Sequence, residues 1–146
     1  MLHAVVWGDE YKVGETLIDN QHEAMFNAYN NIAAMTRLKR EVTMYDVSKE
    51  FNKMRFLAKA HFRDEERIMK DRSFHDTELH CKKHEDFTNV MLNLDSEARD
   101  LRGALHSIEQ FMKIWMEHIL NDDKSIFINE PEHAKHSDAE PSAGLP

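Results

Sequence analysis

The sequence is poor in the residues that make turns. Its 146 residues include 3 prolines and 4 glycines, and every proline lies beyond residue 130. Folds with many strands need frequent turns, and turns rely on these two residues. The scarcity therefore argues against a sandwich or a barrel and favours long helices. The apolar content of 41% is enough for one core, and the chain is too short for two domains.

Other absences exclude several classes of protein. The single cysteine, Cys81, excludes an internal disulfide framework. No apolar run approaches the roughly 18 residues of a membrane-spanning helix, and the short apolar start lacks the basic residues of a signal peptide. A net charge of −8 without a basic stripe argues against nucleic acid and against an anionic membrane surface as partners. We expect a soluble, cytoplasmic protein.

Apolar residues recur at spacings of three and four in four segments, which predicts four helices. Asp19 is the predicted N-cap of the first helix. Thr43, with Asp46 three residues later, predicts a capping box at the start of the second. The apolar stripes comprise Ile18, Met25, Phe26, Tyr29, Ile32 and Ala33; then Val47, Phe51, Met54, Ala58 and Ile68; then Leu79, Phe87, Met91, Leu94 and Ala98; and finally Leu101, Leu105, Ile108, Phe111 and Trp115.

Four helices with short connections predict an all-α fold, an antiparallel up-down-up-down four-helix bundle. Residues 1–18 form a predicted N-terminal arm that packs on the bundle, and residues 19–128 form the bundle itself. Residues 129–146, rich in Pro, Glu, Ser and Ala, form a predicted disordered tail.

Six polar residues interrupt the apolar stripes. A bundle core tolerates buried polar groups only when they find partners. Five imidazoles and a carboxylate from four helices would have to satisfy one another or share a metal ion. These residues are His22, His61, Glu65, His80, His84 and His118.

The spacing of these residues favours a metal. Within each of two pairs, the residues are four apart, which places both side chains on one helix face about 40° apart. His118 is followed by Asp122 and Asp123, and helical phase alone favours Asp122 as a further ligand. Five imidazoles and two carboxylates are too many for one tetrahedral zinc ion, and this donor set suits iron, manganese or zinc. A two-metal site with bridging carboxylates fits the count.

The ordered set of motifs resembles the hemerythrin family, and bacterial hemerythrins in particular. The resemblance covers Trp7 to Lys124, including Val13-Gly14 and the run from Ile18 to His22. It also includes an HxxxE motif at positions 61–65, an HxxxH motif at 80–84 and an HxxxxD motif at 118–123. Each pair alone is a weak signal, but the ordered set across four helices is highly specific.

The resemblance implies a non-haem di-iron centre that binds dioxygen reversibly, for carriage, storage or sensing. The three histidines of the HxxxH and HxxxxD motifs would bind one iron ion, and His22 and His61 the other. Glu65 and Asp123 would bridge both ions, together with an oxo or hydroxo group. The family spacing thus selects Asp123 over Asp122. The implied metal ligands are His22, His61, Glu65, His80, His84, His118 and Asp123.

Two positions depart from the family pattern. The family is expected to carry a tryptophan four residues before the last histidine, but Ile114 stands there and Trp115 follows it. Ile126 stands where a tyrosine often follows the bridging aspartate. Neither residue is a ligand, so both bear on dioxygen affinity and autoxidation. Candidate walls of the ligand pocket, each of which could equally be ordinary core, are Met25, Phe26, Phe62, Met112 and Trp115.

Two other functions are compatible with these residues. The first is di-iron oxidoreductase chemistry, of the ferroxidase or peroxidase-like kind. Ferritin-like enzymes carry Glu-x-x-His on two helices, and no predicted helix has this motif, so we expect a binding protein and no enzyme. The second is a structural bundle whose metal is incidental. Sensing would require a separate signalling or redox partner, because the sequence shows no signalling domain.

Overall fold

The computed structural model of the chain describes residues 2–38, 41–97 and 99–128, and these residues form helices and loops without a strand. Four long helices, α1 (Thr16–Arg37), α2 (Met44–Asp71), α3 (Thr77–Glu97) and α4 (Leu101–His118), are joined by short connections. A π-helical turn (Ile119–Asp123) and a short helix α5 (Lys124–Ile128) follow α4, and a 3-10 turn (Asp9–Tyr11) precedes α1.

The helices pack as an all-α four-helix bundle, so the predicted fold class is confirmed. Helix α2 contacts α1, α3 and α4, and α3 also contacts α4. No helix among the described residues combines the length and the hydropathy needed to cross a bilayer. The predicted disordered tail at 129–146 lies outside the described residues. The boundaries predicted for the arm and the bundle stay predictions.

The N-terminal segment packs along α1. The side chain of Asn30 donates to the Val5 carbonyl (2.8 Å) and accepts from the Val5 amide (2.9 Å). Trp7 lies edge-on against Phe26, with the ring centroids 5.1 Å apart. These contacts hold the segment along the part of α1 that contains His22, whose ring lies 6.5 Å from that of Trp7.

The predicted N-cap of α1 is wrong. The helix begins at Thr16, and Glu15 occupies the N-cap position without a side-chain cap. The Asp19 carboxylate instead accepts hydrogen bonds from the amides of Val13 (2.7 Å) and Gly14 (3.2 Å). Asp19 therefore accepts from amides of the loop that precedes the helix, although the residue itself lies inside the first helical turn.

The capping box predicted at the start of α2 is confirmed. Thr43 Oγ1 accepts from the Asp46 amide (3.2 Å), and the Asp46 carboxylate accepts from the Thr43 amide (3.1 Å). Two otherwise unpaired amides of the first turn are thereby satisfied. Asp100 caps α4 in a similar way, by accepting from the Gly103 amide (2.7 Å).

Most of the predicted apolar stripes face the core. Every apolar position predicted for the first two helices is buried. The exception in α3 is Leu79, whose side chain is 55% exposed. The buried residues of this helix step from His80 to His84, Phe87 and Met91, and Leu79 lies about 100° from His80 around the helix. Ala98, also predicted on this stripe, lies outside the described residues.

Candidate metal centre

Seven buried side chains meet in the middle of the bundle. One group supplies ligand atoms from three histidines, and a second group supplies them from two. Within each group the ligand atoms lie within 4.8 Å of one another, and the same two carboxylates belong to both groups. The shared carboxylates are Glu65 and Asp123, the three-histidine half contains His80, His84 and His118, and the two-histidine half contains His22 and His61.

In the three-histidine half, one oxygen of each carboxylate faces the imidazoles. Glu65 Oε1 lies 2.5 Å from His80 Nε2 and 3.1 Å from His84 Nε2. Asp123 Oδ1 lies 2.9 Å from His118 Nε2 and 3.1 Å from His80 Nε2. Three Nε2 atoms and two carboxylate oxygens therefore converge on one point.

In the two-histidine half, the other oxygen of each carboxylate takes the same role. Asp123 Oδ2 lies 2.9 Å from His22 Nε2 and 3.5 Å from His61 Nε2. Glu65 Oε2 lies 3.4 Å from His61 Nε2. Each carboxylate therefore presents one oxygen to each half, which is the geometry that a carboxylate bridging two metal ions requires.

The π-helical turn places Asp123 in the centre. In a continuous α-helix, Asp123 would lie about 140° from His118 and Asp122 about 40° from it. The turn adds one residue, with the Lys124 amide bonding to the Ile119 carbonyl five residues back. Asp123 is consequently fully buried, whereas Asp122 turns outward to the Nδ1–H of His118 (2.9 Å) and to Lys83 Nζ (2.8 Å). Helical phase favours Asp122 only where the helix is regular, and the π-helical turn brings Asp123 into the cluster instead.

Several atoms that face the centre form no well-aligned hydrogen bond among the described residues, although oppositely charged groups lie 2.9–3.5 Å from them. A buried polar group without a hydrogen bond costs about 1–3 kcal/mol, and ion pairing within the metal-free cluster offsets part of that cost. Imidazole nitrogens and carboxylate oxygens are a donor set that suits iron, manganese or zinc. The atoms without a well-aligned hydrogen bond are His61 Nε2, Glu65 Oε2, His118 Nε2 and Asp123 Oδ1.

The contacts of the His84 ring also indicate a place for a cation. Burial, together with nearby histidines, lowers the pKa of His84 to about 2, so the ring is neutral and carries one N–H. Yet Glu66 Oε1 lies 3.0 Å from Nδ1, and Glu65 Oε1 lies 3.1 Å from Nε2. One ring nitrogen therefore turns a lone pair toward a carboxyl group, which needs either a proton on that group or a cation between the two. A metal ion between Nε2 and Glu65 would satisfy both groups.

The pKa values indicate which side chains of the site carry protons when no metal is bound. Burial and the Asp123 charge raise the pKa of Glu65 to about 8. Burial opposes protonation of His80 and His118, but hydrogen bonds and charges from the two carboxylates outweigh it and raise their pKa values to about 9 and about 10. Burial lowers the pKa of His61 to about 4. Metal ions compete with these protons, so their binding would release them.

Aromatic side chains seal the centre from solvent. Phe62 stacks on His84, with the ring centroids 4.1 Å apart. Trp115 lies 5.1 Å from the ring of His61 and 6.0 Å from that of His22, and its side chain is fully buried. The remaining candidate walls, Met25, Phe26 and Met112, belong to the hydrophobic core.

Residue-based prediction missed three polar partners of the histidines. The Nδ1–H of His61 donates to Gln21 Oε1 (3.0 Å), and that of His84 donates to Glu66 Oε1 (3.0 Å). Asp122, which accepts from His118, was considered only as a metal ligand. The one available signal was adjacency, because each partner stands next to a predicted ligand in the sequence.

The comparison with known families agrees with this geometry. The profile described as the Hemerythrin HHE cation binding domain matches residues 13–127. The chain belongs to the hemerythrin family. This hemerythrin is 25% identical to a bacteriohemerythrin of Clostridium acetobutylicum over 123 residues, which cover 82% of the chain and 95% of the relative. It is 26% identical to a myohemerythrin of Theromyzon tessulatum over 85 residues, which cover 58% of the chain and 63% of that relative.

Membership of this family implies a cation site, and the buried cluster of histidines, glutamate and aspartate is compatible with one. The structure brings all seven predicted ligands of the hemerythrin together. Their individual assignment as ligands stays a prediction.

Proposed function

We propose that this hemerythrin binds dioxygen reversibly at two iron ions held by the seven buried side chains. The observation that supports this proposal most directly is the composition of the two halves. Three histidines lie in one half and two in the other, and both carboxylates face both halves. Three histidines and the two shared carboxylates would hold one iron ion, and His22 and His61 with the same carboxylates would hold the other. The two-histidine half thus offers one donor fewer, which would leave room there for a small ligand.

The chain's own residues would set how that position is used. Trp115 covers the two-histidine half, and Phe62 lies against both Trp115 and the ring of His84. Apolar walls of this kind exclude water and slow irreversible oxidation, while iron supplies the reversible exchange of electrons with dioxygen. The names of the relatives, bacteriohemerythrin and myohemerythrin, also support an oxygen-binding function.

The donor set favours binding over oxidase chemistry. Ferritin-like di-iron enzymes have carboxylate-rich sites with Glu-x-x-His on two helices. The cluster described here has five imidazoles and two carboxylates, and α1 to α4 carry no Glu-x-x-His motif. Carriage, storage and sensing would all use this chemistry, and sensing would add a separate signalling or redox partner. A cytoplasmic location stays a prediction.

The experiment is a cycle of gas exchange on the protein loaded anaerobically with ferrous iron. We expect a visible charge-transfer absorption to appear with dioxygen and to vanish under argon over repeated cycles. His61→Ala should abolish the response, and His106→Ala, at an exposed histidine of α4, should preserve it. Irreversible oxidation on first exposure, or rapid turnover with an electron donor, would contradict the proposal and favour the enzyme.

A further inference from the structure

Two histidines of the three-histidine half are held in the same way, each between two adjacent acidic residues. Glu65 faces Nε2 of His84 (3.1 Å), and the next residue, Glu66, accepts from its Nδ1–H (3.0 Å). Asp123 faces Nε2 of His118 (2.9 Å), and the preceding residue, Asp122, accepts from its Nδ1–H (2.9 Å). In each pair one carboxylate lies inside the centre and the other outside it.

The two-histidine half has a different partner. The Nδ1–H of His61 donates to the amide oxygen of Gln21 (3.0 Å), and the amide nitrogen of Gln21 donates to Asp64 (2.8 Å). The bond to Asp64 fixes the orientation of the amide, so its oxygen faces the imidazole. The group that touches His61 is therefore neutral, whereas those that touch His84 and His118 are carboxylates.

We propose that Glu66 and Asp122 are positioning residues that make His84 and His118 stronger electron donors to their iron ion. The iron in the three-histidine half should therefore have the lower reduction potential of the two. The inference rests on the proposed di-iron function. A carboxylate that accepts the Nδ1–H fixes the imidazole with Nε2 toward the metal and increases its basicity. A more basic ligand stabilises the higher oxidation state of the ion that it binds. Two such ligands act on one half, and a neutral amide acts on the other.

The surroundings keep both outer carboxylates in place. Asp122 also accepts from Lys83 Nζ (2.8 Å), which links α3 to the π-helical turn. The side chain of Glu66 is 28% exposed and lines the groove between α2 and α3. Solvent at this groove supports the charge of Glu66 without separating it from His84.

The test uses the full chain loaded with iron and the variants Glu66→Gln and Asp122→Asn. Both substitutions keep an oxygen that can accept the Nδ1–H and remove the charge. The readout is the potential of the first one-electron oxidation, from a redox titration followed by electron paramagnetic resonance. Mutation of an outer partner of a metal ligand typically costs about 10–100-fold in metal affinity or activity, and we take the lower figure for the change in redox equilibrium. We expect each variant to raise the potential by about 59 mV, the equivalent of tenfold for one electron.

Two further variants separate this effect from general electrostatics. Glu85→Gln removes the same charge from the same groove, at a residue next to His84 in the chain that does not bond to it in the structure. We expect it to leave the potential nearly unchanged. The double variant Gln21→Glu/Asp64→Asn exchanges the amide and the carboxylate, so it places a carboxylate on His61 at constant net charge, and we expect it to lower the potential of the two-histidine half. Mössbauer spectra of the half-oxidised protein should place the ferric ion in the three-histidine half.

The outcomes are distinguishable. A wild-type chain that holds two irons and binds dioxygen, with potentials unchanged in Glu66→Gln and Asp122→Asn, would overturn this inference and leave the proposed function intact. Equal shifts in Glu66→Gln and Glu85→Gln would overturn it as well. A wild-type chain that does not hold two irons would overturn both. If one outer variant fails to fold, the other tests the same claim on a different helix.

Discussion

Replacing Asp123 with asparagine in the metal-free protein should cost far more stability than replacing an exposed aspartate. The carboxylate is fully buried. Its oxygens lie 2.9 Å from Nε2 of both His22 and His118, and 3.1 Å from that of His80. The substitution preserves the shape of the side chain and removes its charge.

The magnitude follows from the groups left behind. Asp123 helps to raise the pKa of His118 to about 10 and that of His80 to about 9, so in the metal-free protein both rings are protonated at pH 6. Removing one partner of a buried ion pair leaves an uncompensated charge and costs about 3–5 kcal/mol. In the variant these rings hold their protons less tightly, because only Glu65 and Asp122 still accept from them. The cost should therefore be largest near pH 6 and shrink as the pH rises toward 9.

The assay is urea unfolding of the metal-free protein, followed by circular dichroism at several pH values. The matched control is Asp86→Asn on α3, whose carboxylate is 63% exposed and pairs with Lys82 (3.6 Å). A pair near the surface contributes about 1 kcal/mol or less. A loss below about 1 kcal/mol for Asp123→Asn, or one equal to that of the control, would refute the reasoning.

Three further predictions concern pH, the π-helical turn and ligand entry. The metal-free protein should be most stable near pH 6 by urea unfolding. As the pH falls, stability is lost through His61 and His84, whose pKa values are lowered to about 4 and about 2. As the pH rises, it is lost through His80 and His118, whose pKa values are raised to about 9 and about 10, and through Glu65, whose pKa is raised to about 8. A stability that rises steadily from pH 6.5 to 9 would contradict this. Deleting the exposed Asn121 should convert the π-helical turn to a regular helical turn and keep two metal ions per chain. Inserting an alanine at the same place should rotate Asp123 by about 100° around the helix and reduce the metal content. Equal metal contents in the two variants would contradict this prediction. Trp115→Phe should speed azide binding to the oxidised protein in stopped-flow measurements, and Phe51→Leu, a core aromatic that packs against Phe111, should not.

The helices and the candidate histidine ligands could be predicted from the sequence, because both follow from the periodicity of the apolar residues. A buried polar side chain in an apolar stripe stands out, and a spacing of four places two such residues on one face. His22 and His61 were found in this way, and the structure buries both completely. The prediction that Leu79 faces the core is wrong, because this residue lies one position before the buried stripe of α3. The period of the pattern alone does not show at which residue the stripe begins.

The remaining features depend on packing that a local pattern does not contain. The π-helical turn that brings in Asp123 adds one residue without a Pro or Gly to mark it, so phase arithmetic selected Asp122. The motif spacing of the family corrected that choice. The outer partners Gln21 and Glu66 bond to histidines 40 and 18 residues away, and only the packed bundle brings them together.

The most direct test of the account is the iron content of the chain. The protein is reconstituted anaerobically with excess ferrous iron, freed of unbound metal, and analysed for iron and protein. The arrangement of Glu65 and Asp123, each with one oxygen in either half, predicts two irons per chain, and Glu65→Ala should reduce that number. One tightly bound metal, or none, would contradict the bridged two-metal centre on which the proposed dioxygen binding depends.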